Sequence, residues 1–462
     1  MTTSYTHTLQ QTLAHALSYL DSLSGRHIAT GATPEQLRAA LGRPLPENGM
    51  QPESVIGELV RDVEGGVLAS SSSRFFGWVI GGAVPAALAA DWLTSTWDQN
   101  AAAYACAPAE AIVEEVAGGW LKELLGIPET ASFGFVTGCQ QAHTTALAAA
   151  RHQLLADRGW DVEQSGLCGA PPIHVLTTAL KHESLVRAVR MLGIGENAIE
   201  HIQSDNEGRM LPAALRRRLE SLDGKPALVC LQAGDLNTGV FDPFNDICDI
   251  AHDCNAWVHI DGAFGLWVAT SESHKHFLNG AEKADSWATD GHKWLNVPFD
   301  SGFVFVANPE PHFAAMSLLT SYEILVDNTR SQKDWNPEWS RRGRGFATYA
   351  AIRSLGKRGI AEIVDGCCRH AQHLVTELGK LPEVEVLALP RINQGLLRFL
   401  ADDGDHDKRT DDVIEKIQES GKAWFGATTW HDMRVMRVSV CNWQTTTDDI
   451  DATIEAVRAA LS

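Results

Sequence analysis

Two stretches of the chain decide its predicted fold: Val258-His259-Ile260-Asp261-Gly262-Ala263 and, further on, Asp290-Gly291-His292-Lys293-Trp294. The first continues an apolar run from Ala256 and predicts a buried β-strand that delivers a carboxylate at its C-terminal end. The second places a lysine directly after a histidine and before another apolar strand, residues 302–306. Taken singly, such an aspartate is usually a turn or cap residue, and such a lysine usually lies in a solvated loop.

Together, this aspartate and this lysine are the pair that pyridoxal phosphate (PLP) chemistry needs. A lysine amine holds the cofactor as a Schiff base. An aspartate keeps the pyridine nitrogen protonated, so that the ring can accept an electron pair. The order and combination of the two motifs therefore favour a PLP enzyme over a pair of structural residues.

The segments 259–263 and 291–300 resemble the group II PLP-dependent amino-acid decarboxylases, a family that includes the aromatic-L-amino-acid, glutamate, histidine and tyrosine decarboxylases. The resemblance runs from about residue 70 to the C-terminus and is most specific at His292-Lys293-Trp294. It implies an α/β protein of PLP fold type I, the aspartate aminotransferase-like architecture. It also implies that Lys293 is the Schiff-base lysine, that Asp261 partners the pyridine nitrogen, and that the chain forms a homodimer.

Composition narrows the class of protein. With 462 residues, 44% hydrophobic and 21% charged, the chain fits a soluble globular protein of two or three subdomains. A net charge of −20 argues against nucleic acid and anionic membranes as partners. The apolar run 78–90 contains two glycines and a proline and is too short to span a bilayer.

The cysteines and the N-terminus indicate where the protein works. The nine cysteines have no framework spacing and no paired zinc spacing, which predicts reduced thiols and no metal site. The N-terminus has no basic region followed by an apolar run, so we expect no signal peptide. We therefore predict a cytoplasmic enzyme that acts on a small-molecule amino acid.

The sequence pattern divides the chain into three predicted parts. Residues 1–70 form an N-terminal helical segment, with apolar residues at helical spacing from Leu9 to Leu20. Residues 71–342 alternate short apolar runs with helical stretches, which predicts a large PLP-binding domain with a mostly parallel sheet. Residues 343–462 predict a smaller C-terminal α+β domain that begins with helices over 346–355 and 361–378.

A turn of small and polar residues at Gly138, Cys139 and Gln140 opens an alanine-rich helix. The start of a helix presents free N–H groups and a positive dipole end to an anion. In the resembling family the matching turn binds the PLP phosphate, so these three residues are the expected phosphate contacts. Ala263 and His292, which lie within the two key motifs, are also expected to contact the cofactor.

Four further site residues follow from the resemblance. The segment 179–185 resembles the one whose histidine stacks on the PLP ring, which gives His182; a helix-capping histidine is the simpler alternative. In the loop 234–243, Asn237 or Asp235 is expected to reach the cofactor's edge. Trp78 matches an aromatic position that lines the substrate pocket, and Arg341 falls in an arginine cluster that we assign to substrate binding, with a solvated surface cluster as the alternative.

The predicted reaction is decarboxylation of an L-amino acid to the amine and CO₂, and Trp78 with Phe76 favours an aromatic or bulky apolar substrate. In this family a tyrosine on a mobile loop protonates Cα, but the register from Arg341 puts Gln332 there. Tyr322, in a predicted lid over 319–339, is the candidate donor, with His182 and Lys293 as alternatives. Other fold type I reactions stay open: an aminotransferase, an aldolase or lyase, or a decarboxylating aldehyde synthase. A catalytically silent PLP-binding regulator is disfavoured by the complete set of Asp261, His182 and Lys293.

Overall fold

A seven-stranded sheet lies at the centre of the described part of this computed structural model, which comprises residues 5–318 and 328–462. Its strands, in chain order, are β1 (Ser132–Val136), β2 (His174–Thr177), β3 (Ile199–His201), β4 (Ala227–Gln232), β5 (Trp257–Asp261), β6 (Ser286–Asp290) and β7 (Gly302–Val306). Across the sheet they run in the order β1-β7-β6-β5-β4-β2-β3. The pairs from β6 to β3 are parallel, and β7 is antiparallel to both neighbours. The predicted mostly parallel sheet is confirmed.

Helices cover the faces of this sheet and fill the connections between its strands. Several begin with proline in the first turn, where a missing N–H costs no helical hydrogen bond. No helix in the described ranges is both long enough and apolar enough to cross a membrane. The helices are α1 (Tyr5–Ser22), α2 (Pro34–Leu41), α3 (Pro52–Val63), α4 (Pro85–Trp97), α5 (Pro108–Leu125), α6 (Cys139–Ala156), α7 (Val162–Ser165), α8 (Glu183–Met191), α9 (Pro212–Ser221), α10 (Phe244–Asp253), α11 (Pro309–Met316), α12 (Gly345–Leu378), α13 (His406–Ser420) and α14 (Thr447–Leu461).

A second, antiparallel sheet follows α12 and completes the expected fold class. Its strands are β8 (Val384–Ala388), β9 (Gln394–Phe399), β10 (Gly426–Trp430) and β11 (Met433–Ser439), in the order β10-β11-β9-β8. One apolar cluster includes buried residues of both sheets, such as Val258 and Phe399. The boundaries at residues 70 and 342 stay predictions, because this shared core does not itself mark them.

The helical run α12 contains a break close to the one that the sequence pattern predicted. Two helices were expected over 346–355 and 361–378, and the structure has one run in which Gly356 alone is non-helical, with φ 60° and ψ 176°. A positive φ favours glycine, which has no Cβ to clash with the backbone. The two predicted helices therefore meet at this residue without an intervening loop.

A buried pair of carboxylates lies beneath the start of α12. Glu110 Oε1 accepts the Gly345 N–H at 2.6 Å, and Glu114, one turn along α5, forms an ion pair with Arg341. Burial, together with the neighbouring Glu114 charge, raises the pKa of Glu110 to about 8. The Glu110 side chain is therefore neutral in the folded protein at neutral pH.

We expect Glu110→Gln to make the folded protein less sensitive to alkaline pH. The unfolded chain releases the Glu110 proton near pH 4.5 and the folded chain near pH 8, so wild-type stability falls as pH rises between these values. Glutamine is neutral and keeps the acceptor for Gly345, so that loss should shrink. Urea midpoints measured across this range test the prediction, with exposed Glu115→Gln as the matched control. An unchanged pH slope in Glu110→Gln would contradict it.

Candidate active site

The carboxyl ends of β5 and β6 bring the two predicted key residues together. These strands are parallel neighbours, and the Asp261 that ends β5 pairs in register with Ala288 of β6. Asp290 ends β6, and Lys293 follows three residues later with its Nζ 3.1 Å from Asp290 Oδ2. Despite the cost of burial, the Asp290 and Asp261 charges raise the pKa of Lys293 above its usual value. In open α/β sheets this edge is where ligands bind.

Three groups hold the Asp261 carboxylate. The Ala263 N–H donates to Oδ1 at 3.1 Å, Cys139 Sγ lies 3.7 Å from the same oxygen, and His143 Nε2 lies 3.3 Å from Oδ2. Burial alone would favour the neutral acid. The contact with His143 outweighs this cost, with smaller contributions from His182 and Lys293, and holds the pKa of Asp261 well below its usual range. Asp261 is therefore an anion that can stabilise a protonated ring nitrogen.

The turn that precedes α6 lies directly beside Lys293. The Cys139 N–H, at the start of the helix, donates to Asp290 Oδ1 at 2.6 Å. At Gly138 an added Cβ would lie 3.1 Å from His292 Cε1, and one at Gly302 would lie 2.4 Å from Gly138 Cα. Both glycines thus let β7, His292 and the turn approach each other closely. The positive end of α6 already holds one carboxylate oxygen, which fits an anion-binding role.

The side chain of Gln140 provides a direct test of whether this turn fits a phosphate. Its Nε2 is buried and has no hydrogen-bond partner within the protein. A buried amide without a partner is costly, and an acceptor oxygen of a bound ligand would satisfy it. Together with the N–H groups at the start of α6, this donor fits the phosphate of PLP.

His182 adopts the simpler role considered for it and still faces the site. It is the N-cap residue of α8, where its Nδ1 accepts the Ser184 N–H at 3.2 Å. A neutral ring then carries its proton on Nε2. Burial among neighbouring groups lowers the pKa of His182, while the nearby Asp261 charge opposes the shift. The cap fixes the ring, and the ring's other edge is free to contact a ligand.

The loop after β4 contains Asp235 and Asn237. Asp235 Oδ1 accepts the N–H groups of Asn237 and Thr238 at 2.9 and 2.8 Å, so this carboxylate organises its own loop. Asn237 Oδ1 is buried without a partner. Of the two alternatives, Asn237 therefore keeps a free acceptor for a ligand, and its cofactor contact stays a prediction.

Trp78 lies on a segment that passes close to Lys293. An added Cβ at Gly81 would lie 2.3 Å from the Lys293 carbonyl oxygen, so this segment contacts the lysine backbone directly. Trp78 and Val79 both have positive φ, 51° and 58°, a conformation that side chains with a Cβ rarely adopt. The Trp78 ring is half exposed and lies 4.4 Å from the ring of Trp424. A strained, exposed aromatic side chain at this place is consistent with a substrate contact.

Arg341 is buried and its guanidinium pairs with Glu114, with a further contact to the Phe135 carbonyl at 3.4 Å. The structure therefore gives this arginine a structural partner, in place of the solvated cluster considered as an alternative, and its substrate contact stays a prediction. Tyr322 and residues 319–327 of the predicted lid lie outside the described residues.

Two residues in the site were not anticipated from the sequence. Asp290 links Lys293 to the turn before α6, and His143 contacts Asp261 from the second turn of α6. Asp290 stands within the motif quoted above. Its position at a strand end could have identified it as a site residue. His143 follows Cys139 by four residues, which places both on one helix face.

A model of the pyridoxal-dependent decarboxylase conserved domain matches residues 34–401 of the chain. The chain belongs to this family. It is a PLP-dependent carboxy-lyase of the amino-acid decarboxylase type, which confirms the resemblance inferred from the His-Lys-Trp block. The family's cofactor, PLP, agrees with the donor set around Lys293 and Gln140.

Relatives within the family act on different substrates, judged by their names. The chain is 26% identical over 454 residues to the aromatic-L-amino-acid decarboxylase of Bacillus atrophaeus, covering 96% of this chain and 92% of the relative. It is 27% identical to the human acidic amino acid decarboxylase GADL1, covering 77% and 69%. Among solved structures, Oryza sativa TDC with PLP and tryptamine superposes with a TM-score of 0.92 at 20% identity, covering 98% and 97% of the two chains. Mouse CSAD superposes at 0.90 and 22%, covering 98% of each. The structural likeness confirms the fold.

Proposed function

We propose that this carboxy-lyase converts an aromatic or bulky apolar L-amino acid to its amine and CO₂, with Lys293 as the residue that holds PLP. The observation that carries the proposal is the meeting of Lys293 Nζ, the Asp261 anion and the anion-binding start of α6 at one edge of the sheet. When bound, PLP supplies an electron sink for the pair left at Cα as the carboxylate departs.

The chain's own residues divide the remaining tasks. Asp261 would hold a proton on the ring nitrogen, since its pKa lies far below neutral. Gln140 Nε2 and the Gly138 N–H would bind the phosphate, while the Cys139 N–H donates to Asp290; His292 lies against the same turn. His182 would cover one face of the ring, with Nε2–H available to orient the substrate carboxylate.

The substrate class rests on the side chains around the lysine. The Trp78 ring is half exposed on the segment whose Gly81 contacts the Lys293 backbone, and the Phe264 ring centroid lies 5.9 Å from Lys293 Nζ. An acidic substrate would need a cation for its second carboxylate, and both Lys293 and Arg341 are already paired with carboxylates of the protein. The aromatic-L-amino-acid decarboxylase relative is compatible with the same choice.

Release of CO₂ from a panel of amino acids tests the reaction and the substrate together. We expect turnover with aromatic amino acids and little with aspartate, glutamate or cysteine sulfinate. Borohydride reduction of the PLP-loaded protein should label Lys293, and Lys293→Ala should lose activity by several orders of magnitude while exposed Lys275→Ala keeps it. Labelling elsewhere would overturn the lysine assignment, and preference for an acidic substrate would overturn the substrate class. An α-keto acid acceptor assayed in parallel separates decarboxylation from transamination.

The fate of the Cα carbanion leaves a second candidate, a decarboxylating aldehyde synthase. Gln332, at the register expected for the protonating tyrosine, is buried in a short 3₁₀ turn, and neither polar atom of its amide has a partner. A glutamine amide is not an acid that can protonate carbon near neutral pH. The proton must therefore come from another group, and Tyr322 is our proposed donor, ahead of His182.

We expect Tyr322→Phe to keep PLP binding and CO₂ release while the product shifts from amine towards aldehyde, with dissolved O₂ as the oxidant and ammonia and hydrogen peroxide as co-products. The hydroxyl is the only group removed, so cofactor contacts elsewhere are unaffected. Amine and aldehyde are quantified by chromatography, with Tyr349→Phe as a tyrosine control on α12. Unchanged amine formation would exclude Tyr322, and wild-type protein that makes only aldehyde would favour the second candidate.

A homodimer is also part of the proposal, supported by the surface of α1. The predicted apolar positions Leu9, Leu13, Leu17 and Leu20 form one stripe of this helix, and all four are exposed in the single chain. An apolar stripe of this kind marks a protein contact. A cytoplasmic location, supported by nine free thiols in the described ranges, completes the proposal; cell fractionation tests it.

Light scattering should report a dimer of about twice the 50.2 kDa chain mass. The double change Leu13→Glu and Leu17→Glu should shift the protein towards monomer by placing charges in the contact, whereas Ser18→Glu, on the opposite side of α1, should not. A wild-type monomer that is active at assay concentration would contradict the proposal.

A further inference from the structure

A line of buried side chains leads from the core to Asp261. Trp257 Nε1 donates to Ser286 Oγ at 2.9 Å, and Ser286 Oγ lies 2.9 Å from His259 Nδ1. His259 Nε2 lies 2.8 Å from His143 Nδ1, whose Nε2 is 3.3 Å from Asp261 Oδ2. His143, His259 and Ser286 have no solvent exposure. The imidazoles and the hydroxyl thus form one continuous hydrogen-bond chain behind the carboxylate.

The indole of Trp257, at one end of this hydrogen-bond chain, sets the direction in which the protons are donated. An indole N–H can only donate, so Ser286 Oγ accepts from Trp257 and has its own proton to pass on. The acceptor for that proton is His259 Nδ1, which leaves the His259 proton on Nε2. His259 then donates to His143 Nδ1, and the His143 proton lies on Nε2, facing Asp261. Each donor meets an acceptor, and both imidazoles remain neutral.

The opposite order of protons carries a cost that can be identified. If His259 donated from Nδ1 to Ser286, its Nε2 would accept from His143 Nδ1. A neutral His143 would then turn a lone pair towards the Asp261 anion, so this order requires a cationic His143 in the buried core. Burial lowers the pKa of His259 to about 3, so His259 itself stays neutral in either order.

We propose that Ser286, His259 and His143 are positioning residues that fix a neutral Nε2–H donor on Asp261 and thereby keep this carboxylate oriented towards the ring nitrogen of PLP. The inference deepens the proposed function and rests on Asp261 being the ring-nitrogen partner. None of the three need touch the cofactor. This hydrogen-bond chain also explains why three polar side chains lie in the apolar layer between α6 and the sheet.

The first test determines which ring nitrogens of His143 and His259 carry protons. In PLP-loaded protein with ¹⁵N-labelled histidine, His143 and His259 should both give the signals of neutral, Nε2-protonated rings, assigned with His143→Gln and His259→Gln. Ser286→Ala removes the hydroxyl that sets the direction and should produce mixed tautomers at both rings. A doubly protonated His143, or a tautomer pattern that Ser286→Ala leaves unchanged, would overturn the proposal.

A matched control exists on the same sheet. Ser132 Oγ lies 2.8 Å from His312 Nδ1, and both side chains are buried, but neither contacts Asp261. Ser286→Ala should lower kcat about 10-fold with little change in KM, as expected for loss of a group that orients a catalytic ligand. Ser132→Ala breaks a similar buried serine–histidine hydrogen bond. It should leave kcat and the tautomers of His143 and His259 unchanged. Equal effects of the two variants would reduce Ser286 to a packing role.

The ring nitrogen of bound ¹⁵N-labelled PLP supplies a readout that does not depend on turnover. Its signal should report a protonated nitrogen in wild type, a smaller protonated fraction in His143→Leu, and partial recovery in His143→Gln, whose amide keeps an N–H donor. Identical signals in all three would overturn the proposal. Absence of CO₂ release from every amino acid would instead refute the proposed reaction and leave the tautomer result standing, so the two failures are distinguishable. Should His143→Leu fail to fold, Ser286→Ala carries the same measurement.

Discussion

The parallel pairing of β5 with β6 is the constraint on which the site depends. Parallel strands end at the same edge of a sheet, so Asp261 and Asp290 leave the core side by side, and Lys293 follows within one turn. Neighbouring strands lie about 4.8 Å apart, which is the scale at which a carboxylate and an amine can serve one small ligand. A register shift by one residue would turn Asp261 to the other face and separate the pair.

A carboxylate stays ionised at such a buried position only if neighbouring groups donate hydrogen bonds to it. Asp261 receives the Ala263 N–H, the Cys139 thiol and the His143 ring, and Asp290 receives the Cys139 N–H and the Lys293 ammonium. Since an unpaired buried carboxylate would take up a proton, these contacts keep the charge that the chemistry needs. The start of α6 contributes to both carboxylates, which makes this helix the common support of the site.

The sequence pattern predicted the parts of the fold that depend on local apolar runs. Strand β7 was predicted with its observed bounds, and β5 to within one residue, because each is a largely apolar, buried segment. Strand β6 was not predicted because three of its five residues, Ser286, Thr289 and Asp290, are polar, although the whole strand is buried. The break at Gly356 was visible, but its form, a single non-helical residue, depends on packing that the pattern does not contain.

The sequence pointed to those residues of the candidate site that lie in local motifs. Lys293, Asp261 and the turn at Gly138 lie in contiguous segments with recognisable chemistry. The contact of His143 with Asp261 joins residues 118 positions apart, and no local pattern encodes it. His182 illustrates the converse, because the same position serves as a helix cap and faces the site, so the two interpretations that the sequence left open are compatible.

The close approach of Gly302 to Gly138 restricts how this protein can change over evolutionary time. A methyl group at Gly302 would lie 2.4 Å from the Cα of Gly138, so a side chain there would push the turn before α6 away from Lys293. An ordinary substitution on a sheet strand is absorbed by neighbouring side chains, but here the neighbour is backbone and cannot be repacked. Variation of the sequence is therefore closed at the first residue of β7, where a heritable change in the strand would move the turn before α6.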